Sequence, residues 1–168
     1  MKKETYIKIT DTIRKNEKLE KAIIIANFAL TFFIYILFGG LLFMLLLMKD
    51  LRFMRVVLTT GISFVALSIV RKKINSVRPY TKYGFKPIVN KEKPGESMPS
   101  RHVFSCFVIG MAFLYIDTSL GVIVLIQGVL MAILRVVIGV HFPKDVIVGA
   151  LVGIISGIIG FYLVPGIL

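Results

Sequence analysis

An all-α, multi-pass transmembrane bundle of about five spans is the fold this sequence predicts, and three observations predict it. The chain is 57% hydrophobic and only 18% charged, against about 45–50% and about 25% in a typical soluble domain. Its apolar residues run in long blocks rather than in short periodic stretches. Its charges gather in the N-terminal tail and in the segments between blocks. A chain of 168 residues leaves room for one bundle, divided here into a polar tail over residues 1–21 and a transmembrane domain over 22–168.

The elements follow in order. Residues 1–21 carry seven Lys/Arg and four Asp/Glu, with Tyr6, Ile9 and Ile13 at helical spacing. Two readings fit this tail: an amphipathic helix on the membrane surface, or a solvated, partly helical segment. Ala22 to Met48 is uncharged and makes a helix of about 40 Å, enough for one tilted crossing. Lys49-Asp50-Leu51-Arg52 is a tight turn, and Phe53 to Val70 is the second span, with Arg55 able to snorkel. Residues 71–98 hold Pro79, Pro87, Pro94, Gly84 and Gly95, which discourage a long regular element. A third span runs from about Ser100 to Ile116, a turn follows at Asp117-Thr118, and residues 119–140 and 144–164 make the fourth and fifth. Gly149, Gly153 and Gly157 put a glycine face on the last span, suited to close packing inside the bundle rather than to a homodimer seam.

The formal charge of +12 is compatible with nucleic acid, anionic lipid or a phosphate-bearing ligand. No basic stretch is interleaved with aromatics in a soluble module, which excludes nucleic acid as a partner and favours lipid headgroups. Cys106 is the only cysteine, so no intrachain disulfide forms. The first apolar block is too long for the core of a cleavable signal and lacks a small-residue cleavage site.

Three clusters carry the chemistry: Arg71-x6-Arg78-Pro79, Pro99-Ser100-Arg101-His102, and Arg135-x5-His141-x3-Asp145. The chain has two histidines, and both fall inside these clusters. Counting crossings puts the end of span two, the start of span three and the junction of spans four and five on the same membrane face. Arg71 and Arg78 can match phosphate oxygens with paired donors, although an arginine such as Arg71 also serves as an interfacial anchor. Ser100 suits an N-cap, and the unpaired amides of the helix it opens favour an anion beside His102. Arg135 lies inside the fourth span, where facing lipid costs several kcal/mol; it is expected to face the interior with an anionic partner. Asp145 stands one helical turn after His141 and can orient the imidazole as the acid of a Ser-His-Asp triad does.

These groups suggest a division of labour in which one histidine attacks phosphorus, the other protonates the departing oxygen, and arginines hold the equatorial oxygens. Two histidines and one aspartate among so many cations are a poor site for a divalent metal. No metal and no cofactor is expected.

Together the clusters resemble the three-part signature of the type 2 phosphatidic acid phosphatase family, the membrane lipid phosphatases related to bacterial acid phosphatases and vanadium haloperoxidases. Its pattern is Lys-x6-Arg-Pro, Pro-Ser-Gly-His, then Ser-Arg-x5-His-x3-Asp, and the likeness runs from Arg71 to Asp145. The resemblance implies a helical acid phosphatase/haloperoxidase-like core, with His141 as nucleophile, Asp145 as its orienting partner and His102 as general acid. It implies phosphate binding by Arg78, Ser100 and Arg135, with Arg71 in place of the family lysine unless Lys72 takes that role. Arg101 replaces the family glycine, where it can reach a second phosphate or headgroup or point to water. Leu134 replaces the family serine, at the loss of one hydroxyl.

The expected function is therefore hydrolysis of a lipid phosphate or pyrophosphate, with an undecaprenyl pyrophosphate-, phosphatidylglycerophosphate- or phosphatidate-like substrate and no obligate protein partner. The alternative is a non-catalytic membrane protein whose basic loop binds anionic lipid or a partner. Vanadate-dependent halide oxidation is disfavoured by the membrane spans. The expected location is the cell membrane. The tail and loop charges favour a cytoplasmic site by the positive-inside tendency, whereas many bacterial members of the resembled family work at the outer leaflet; both orientations stay open.

Overall fold

The computed structural model describes residues 1–90 and 93–165. Its regular structure is helical: α1 (Lys3–Arg14), α2 (Glu17–Leu47), α3 (Arg52–Ile74), α4 (Pro79–Tyr83), α5 (Arg101–Ile116), α6 (Thr118–Val137) and α7 (Pro143–Ile158), the last continued by a π-helical turn over Ile159–Leu163. The local signals are visible in the chain. Asp50 accepts from the amide of Arg52 at 2.9 Å in the first turn between spans. Asp117 caps α6 by accepting from the amide of Leu120 at 2.8 Å. Pro143 opens α7, where its missing N–H costs nothing. Asn75 ends α3 and Gly84 ends α4, both in the left-handed conformation.

Four segments are long and apolar enough to cross a bilayer: Glu17–Leu47, Arg52–Tyr83, Thr118–Val137 and Pro143–Leu163. The third expected span corresponds to α5, which has only 16 residues. At about 24 Å it falls short of a hydrocarbon core of about 30 Å. Its surroundings explain how a short helix suffices. Every residue from Val103 to Phe113 is buried, because α6 and α7 pack along it and α2 and α3 close the remaining sides. A helix walled by other helices has no lipid thickness to match. The outer helices instead expose large apolar side chains such as Phe28, Ile62, Ile126 and Ile155, as a membrane-embedded surface requires. The chain is a multi-pass membrane protein.

The glycine face of α7 packs inside the bundle, against α5. A Cβ on Gly149 would stand 2.7 Å from the carbonyl oxygen of Ser100, and one on Gly153 would stand 2.9 Å from that of Phe104. Only glycine permits this approach, and it brings the first turns of α5 and α7 together.

Both ends of the bundle are well defined. At one end Arg55 donates to the carbonyl of Phe161 at 3.2 Å, and Tyr115 stacks on the Phe161 ring with centroids 5.3 Å apart. At the other end the amide of Ser100 donates to the carbonyl of Asp145 at 2.8 Å, and that of Ile88 to Ile138 at 3.1 Å. The three clusters therefore share one end. The N-terminal segment is there too: α1 lies against α2 and α6 and buries Tyr6, Thr10 and Ile13. A separate small core of Ile13, Tyr80, Ile88, Ile138 and Val140 forms beneath it. Position 21, the expected edge of the tail, falls inside α2.

Candidate active site

The turn between α6 and α7 carries His141, and neighbouring segments hold its backbone from several sides. The carbonyl of Ile138 accepts from the amide of Ile88 at 3.1 Å. That of Val140 accepts from Arg78 at 3.2 Å, and that of His141 from the Tyr6 hydroxyl at 3.0 Å. His141 itself is 1% exposed. The ring is thus fixed through its main chain before its side-chain contacts are counted.

Those contacts involve a residue that the motif spacing does not reveal. Asp145 Oδ2 accepts from the amide of Phe142 at 2.9 Å and from the Ser97 hydroxyl at 2.5 Å. It stands 3.8 Å from His141 Nδ1, too far for a direct hydrogen bond. Ser97 Oγ lies 3.4 Å from that same nitrogen, so the expected His141–Asp145 contact is shared with a hydroxyl. Nδ1 faces this acidic side, which leaves Nε2 on the opposite edge of the ring.

The arginines divide into two kinds. Arg71 and Arg78, read from the sequence as phosphate ligands, spend donors on backbone carbonyls. Arg71 donates to Pro99 at 2.8 Å and to Glu96. Arg78 donates to Gly95 at 3.0 Å, Val140 at 3.2 Å and Glu96 at 3.4 Å. Both are buried, and between them they shape the loop that presents Ser97 and Ser100. Arg135 differs. It faces the interior as expected, but its partner is the neutral amide oxygen of Asn27 at 2.9 Å rather than an anion. Its Nε and Nη2 are buried with no hydrogen-bond partner among the described residues.

Ser100 occupies the N-cap position of α5, but its side chain makes no capping bond. Oγ is instead buried and, among the described residues, without a hydrogen-bond partner. His102 stands in the first turn of α5, half-buried. Arg101 is exposed at the rim, its guanidinium 5.6 Å over the Phe64 ring. Asn27 had a readable signal, being an isolated amide inside an otherwise apolar block; Ser97 and Tyr6 had none. Among the described residues no three His, Cys, Asp or Glu side chains gather closely enough to hold a metal ion.

Burial is the main reason that the His141 imidazole is pushed down, to about 4. The Asp145 carboxylate opposes the shift, and the charges of Arg135 and Arg78 add to it. His141 is therefore neutral at pH 7, with a lone pair for attack. The sign for stability follows from the two states. Unfolded, the imidazole takes a proton near pH 6.5; folded, it does so only near pH 4. Stability is expected to fall as pH drops from about 6.5 toward about 4. With two histidines in the chain, an NMR titration resolves this directly: one imidazole should stay neutral well below pH 6, and a midpoint near 6.5 for both would refute it.

A helical membrane bundle whose one end gathers a neutral buried histidine, a carboxylate, a second histidine and a guanidinium with spare buried donors is the class these features define. The chain belongs to the PAP2 superfamily, whose family model matches residues 52–167. It is similar to the bacitracin transport permease protein BcrC of Bacillus licheniformis, with 32% identity over 108 residues, covering 62% of this chain and 53% of that protein. The matched stretch thus spans about half of that relative's length. Among solved structures, LpxE of Aquifex aeolicus superposes with a TM-score of 0.71 at 22% identity, over 94% of this chain and 92% of that one. A transmembrane PAP2-type phosphatidylglycerolphosphate phosphatase from Bacillus subtilis superposes at 0.67 and 21% identity, over 94% and 83%. The all-helical fold expected from the sequence is the fold of these proteins.

Proposed function

We propose that this protein hydrolyses the phosphate or diphosphate of a membrane lipid through a phosphohistidine on His141. The observation that carries the reading is Arg135: a guanidinium 2% exposed, with Nε and Nη2 unpartnered among the described residues. A buried cation costs several kcal/mol unless it meets an anion. Ser100 Oγ, also buried and unpartnered among the described residues, sits at the helix end where amides favour an anion. A non-catalytic lipid binder has no need for such donors beside a neutral imidazole.

In the proposed reaction, Arg135, Ser100 and the first amides of α5 hold the phosphoryl oxygens. Nε2 of His141 attacks phosphorus, and the P–O bond to the lipid breaks as His102 gives its proton to the departing oxygen. Water then attacks the phosphohistidine, losing a proton to His102, and inorganic phosphate leaves. Arg71 and Arg78 add positive potential and hold the loop, and Arg101 meets the headgroup at the rim. An apolar cleft of about 180 Å³, lined in part by Tyr35, Phe38, Phe64 and Val108, runs below the first turn of α5 between α2 and α3. It suits a hydrocarbon chain, which favours a lipid over a soluble ester. The Bacillus subtilis neighbour, a phosphatidylglycerolphosphate phosphatase by its title, agrees with a lipid phosphate as substrate. Undecaprenyl pyrophosphate-, phosphatidylglycerophosphate- and phosphatidate-like lipids all present the group this site would bind.

The test is phosphate release by the purified protein over a panel of those lipids in detergent, with and without chelator. Release from at least one lipid, undiminished by chelator, is expected. No release from any member would overturn the hydrolase reading, and loss in chelator would overturn the metal-free mechanism.

A further inference from the structure

We propose that Tyr6 is a positioning residue for His141, and that α1 is a working part of the site rather than a tail. The inference rests on the reading of His141 as nucleophile, but it concerns a segment outside the family pattern, whose match begins at residue 52.

Tyr6 is 0% exposed. A buried phenol needs a partner for its hydroxyl, and here that partner is the main-chain oxygen of His141 at 3.0 Å. That carbonyl lies between the hydrogen-bond ladders of α6 and α7, so neither helix claims it. The Tyr6 ring is held in turn by aromatic neighbours: Phe85 stacked at 5.6 Å, Tyr83 at 6.0 Å, and Phe142 edge-on at 5.9 Å. Phe142 is the residue after His141, so Tyr6 grips the turn by ring and hydroxyl together.

The helix bearing Tyr6 is fastened at both ends. At its start the Tyr83 hydroxyl donates to the carbonyl of Met1 at 3.3 Å. At its end Arg14 donates to the carbonyls of Lys86 and Pro87 at 2.7 and 2.9 Å. Gly139, with φ of +81°, is packed so tightly that a Cβ would stand 2.7 Å from the Phe85 ring and 3.6 Å from the Thr10 methyl. The turn therefore fits against α1 and the 85–88 segment as one assembly. A helix that merely covered the bundle would have no reason to spend its one buried phenol on the backbone of His141.

Tyr6→Phe removes the hydroxyl and keeps the ring. In the full chain labelled with [15N]histidine there are two imidazole signals, assigned with a His102→Gln variant. Tyr6→Phe should move the His141 signal and raise its titration midpoint as water reaches the ring, with Arg135, Arg78 and Asp145 still facing it. The signal of His102 should stay. Lipid phosphate release should fall about 3–10-fold in kcat, the range of one net hydrogen bond, with KM little changed. Tyr83→Phe, which loses only the bond at the start of α1, should leave both signals unaltered.

A Tyr6→Phe protein whose His141 signal and titration match the wild type would overturn the proposal, even if it melted earlier. So would a variant in which both histidines moved together, since that reports general unfolding. The NMR outcome stands whether or not any lipid is hydrolysed, so failure of the hydrolase reading is detected separately.

Discussion

His141→Ala should abolish phosphate release, by at least about 10³-fold, as loss of a nucleophile does in covalent catalysis, while the bundle stays folded. The structure supports both halves of that expectation. The lost side chain is neutral, so no buried ion loses its counter-charge. Asp145 Oδ2 keeps the Ser97 hydroxyl at 2.5 Å and the Phe142 amide at 2.9 Å, and the turn keeps its carbonyl contacts to Ile88, Arg78 and Tyr6. Thermal unfolding in detergent should therefore change little while turnover disappears. The acid-labile phosphoenzyme, trapped by rapid quench from 32P-labelled lipid, should vanish with it. His102→Ala provides the contrast. It should lose turnover on lipid esters but retain attack on an aryl phosphate whose leaving group needs no proton. Retention of the trapped phosphoenzyme in His141→Ala would move the nucleophile elsewhere.

Much of this arrangement is legible from the chain because its signals are local. An uncharged run from Ala22 to Met48 has few structures open to it in a membrane protein, since backbone groups in lipid must be paired internally. Arg135 announces its inward orientation by its depth, and Pro143 announces the start of α7. The spacing of the three clusters carries the resemblance to the family. What the chain hides is long-range. Ser97 is one hydroxyl in a polar loop, and only the fold brings it to Asp145, 48 positions away. Tyr6 reaches His141 across 135 positions, and nothing in the tail's composition distinguishes a docked helix from a solvated one. The use of Arg71 and Arg78 on backbone carbonyls is equally invisible, because a guanidinium that binds phosphate and one that binds carbonyls have the same letter and the same motif. The surroundings of α5 are hidden for a related reason: its bounds match the expected third span, but an apolar run says that it is buried, not whether lipid or protein buries it.

Asp145→Asn should cost about 10³–10⁴-fold in kcat, comparable to the loss when the acid of a Ser-His-Asp triad is made neutral, and no pH should restore it. The substitution keeps the shape of the side chain. All three contacts fall on one oxygen: Oδ2 meets the Phe142 amide at 2.9 Å, the Ser97 hydroxyl at 2.5 Å and His141 Nδ1 at 3.8 Å. With the NH2 in that position the Phe142 bond is lost and a donor faces Ser97 and Nδ1; with the NH2 at the Oδ1 position, a neutral amide oxygen replaces the carboxylate as acceptor on that side. The first arrangement favours the tautomer with its proton on Nε2, the nitrogen needed for attack, and the second weakens the preference for the productive Nδ1–H tautomer. The sign of the pH effect separates this cause from a simple change in basicity. Asp145 raises the His141 value against the burial that lowers it to about 4. Removing the carboxylate drives that value lower still, so the imidazole is neutral over an even wider range. If the neutral fraction were limiting, activity would hold or improve; if the tautomer is limiting, the loss is the same at pH 5 and pH 8. Ser97→Ala, which leaves the carboxylate in place, should cost only about tenfold, the scale of one hydrogen bond to a charged group. An Asp145→Asn enzyme that recovers at either end of the pH range would show that Asp145 acts on the basicity of His141 rather than on the orientation and tautomer of its ring.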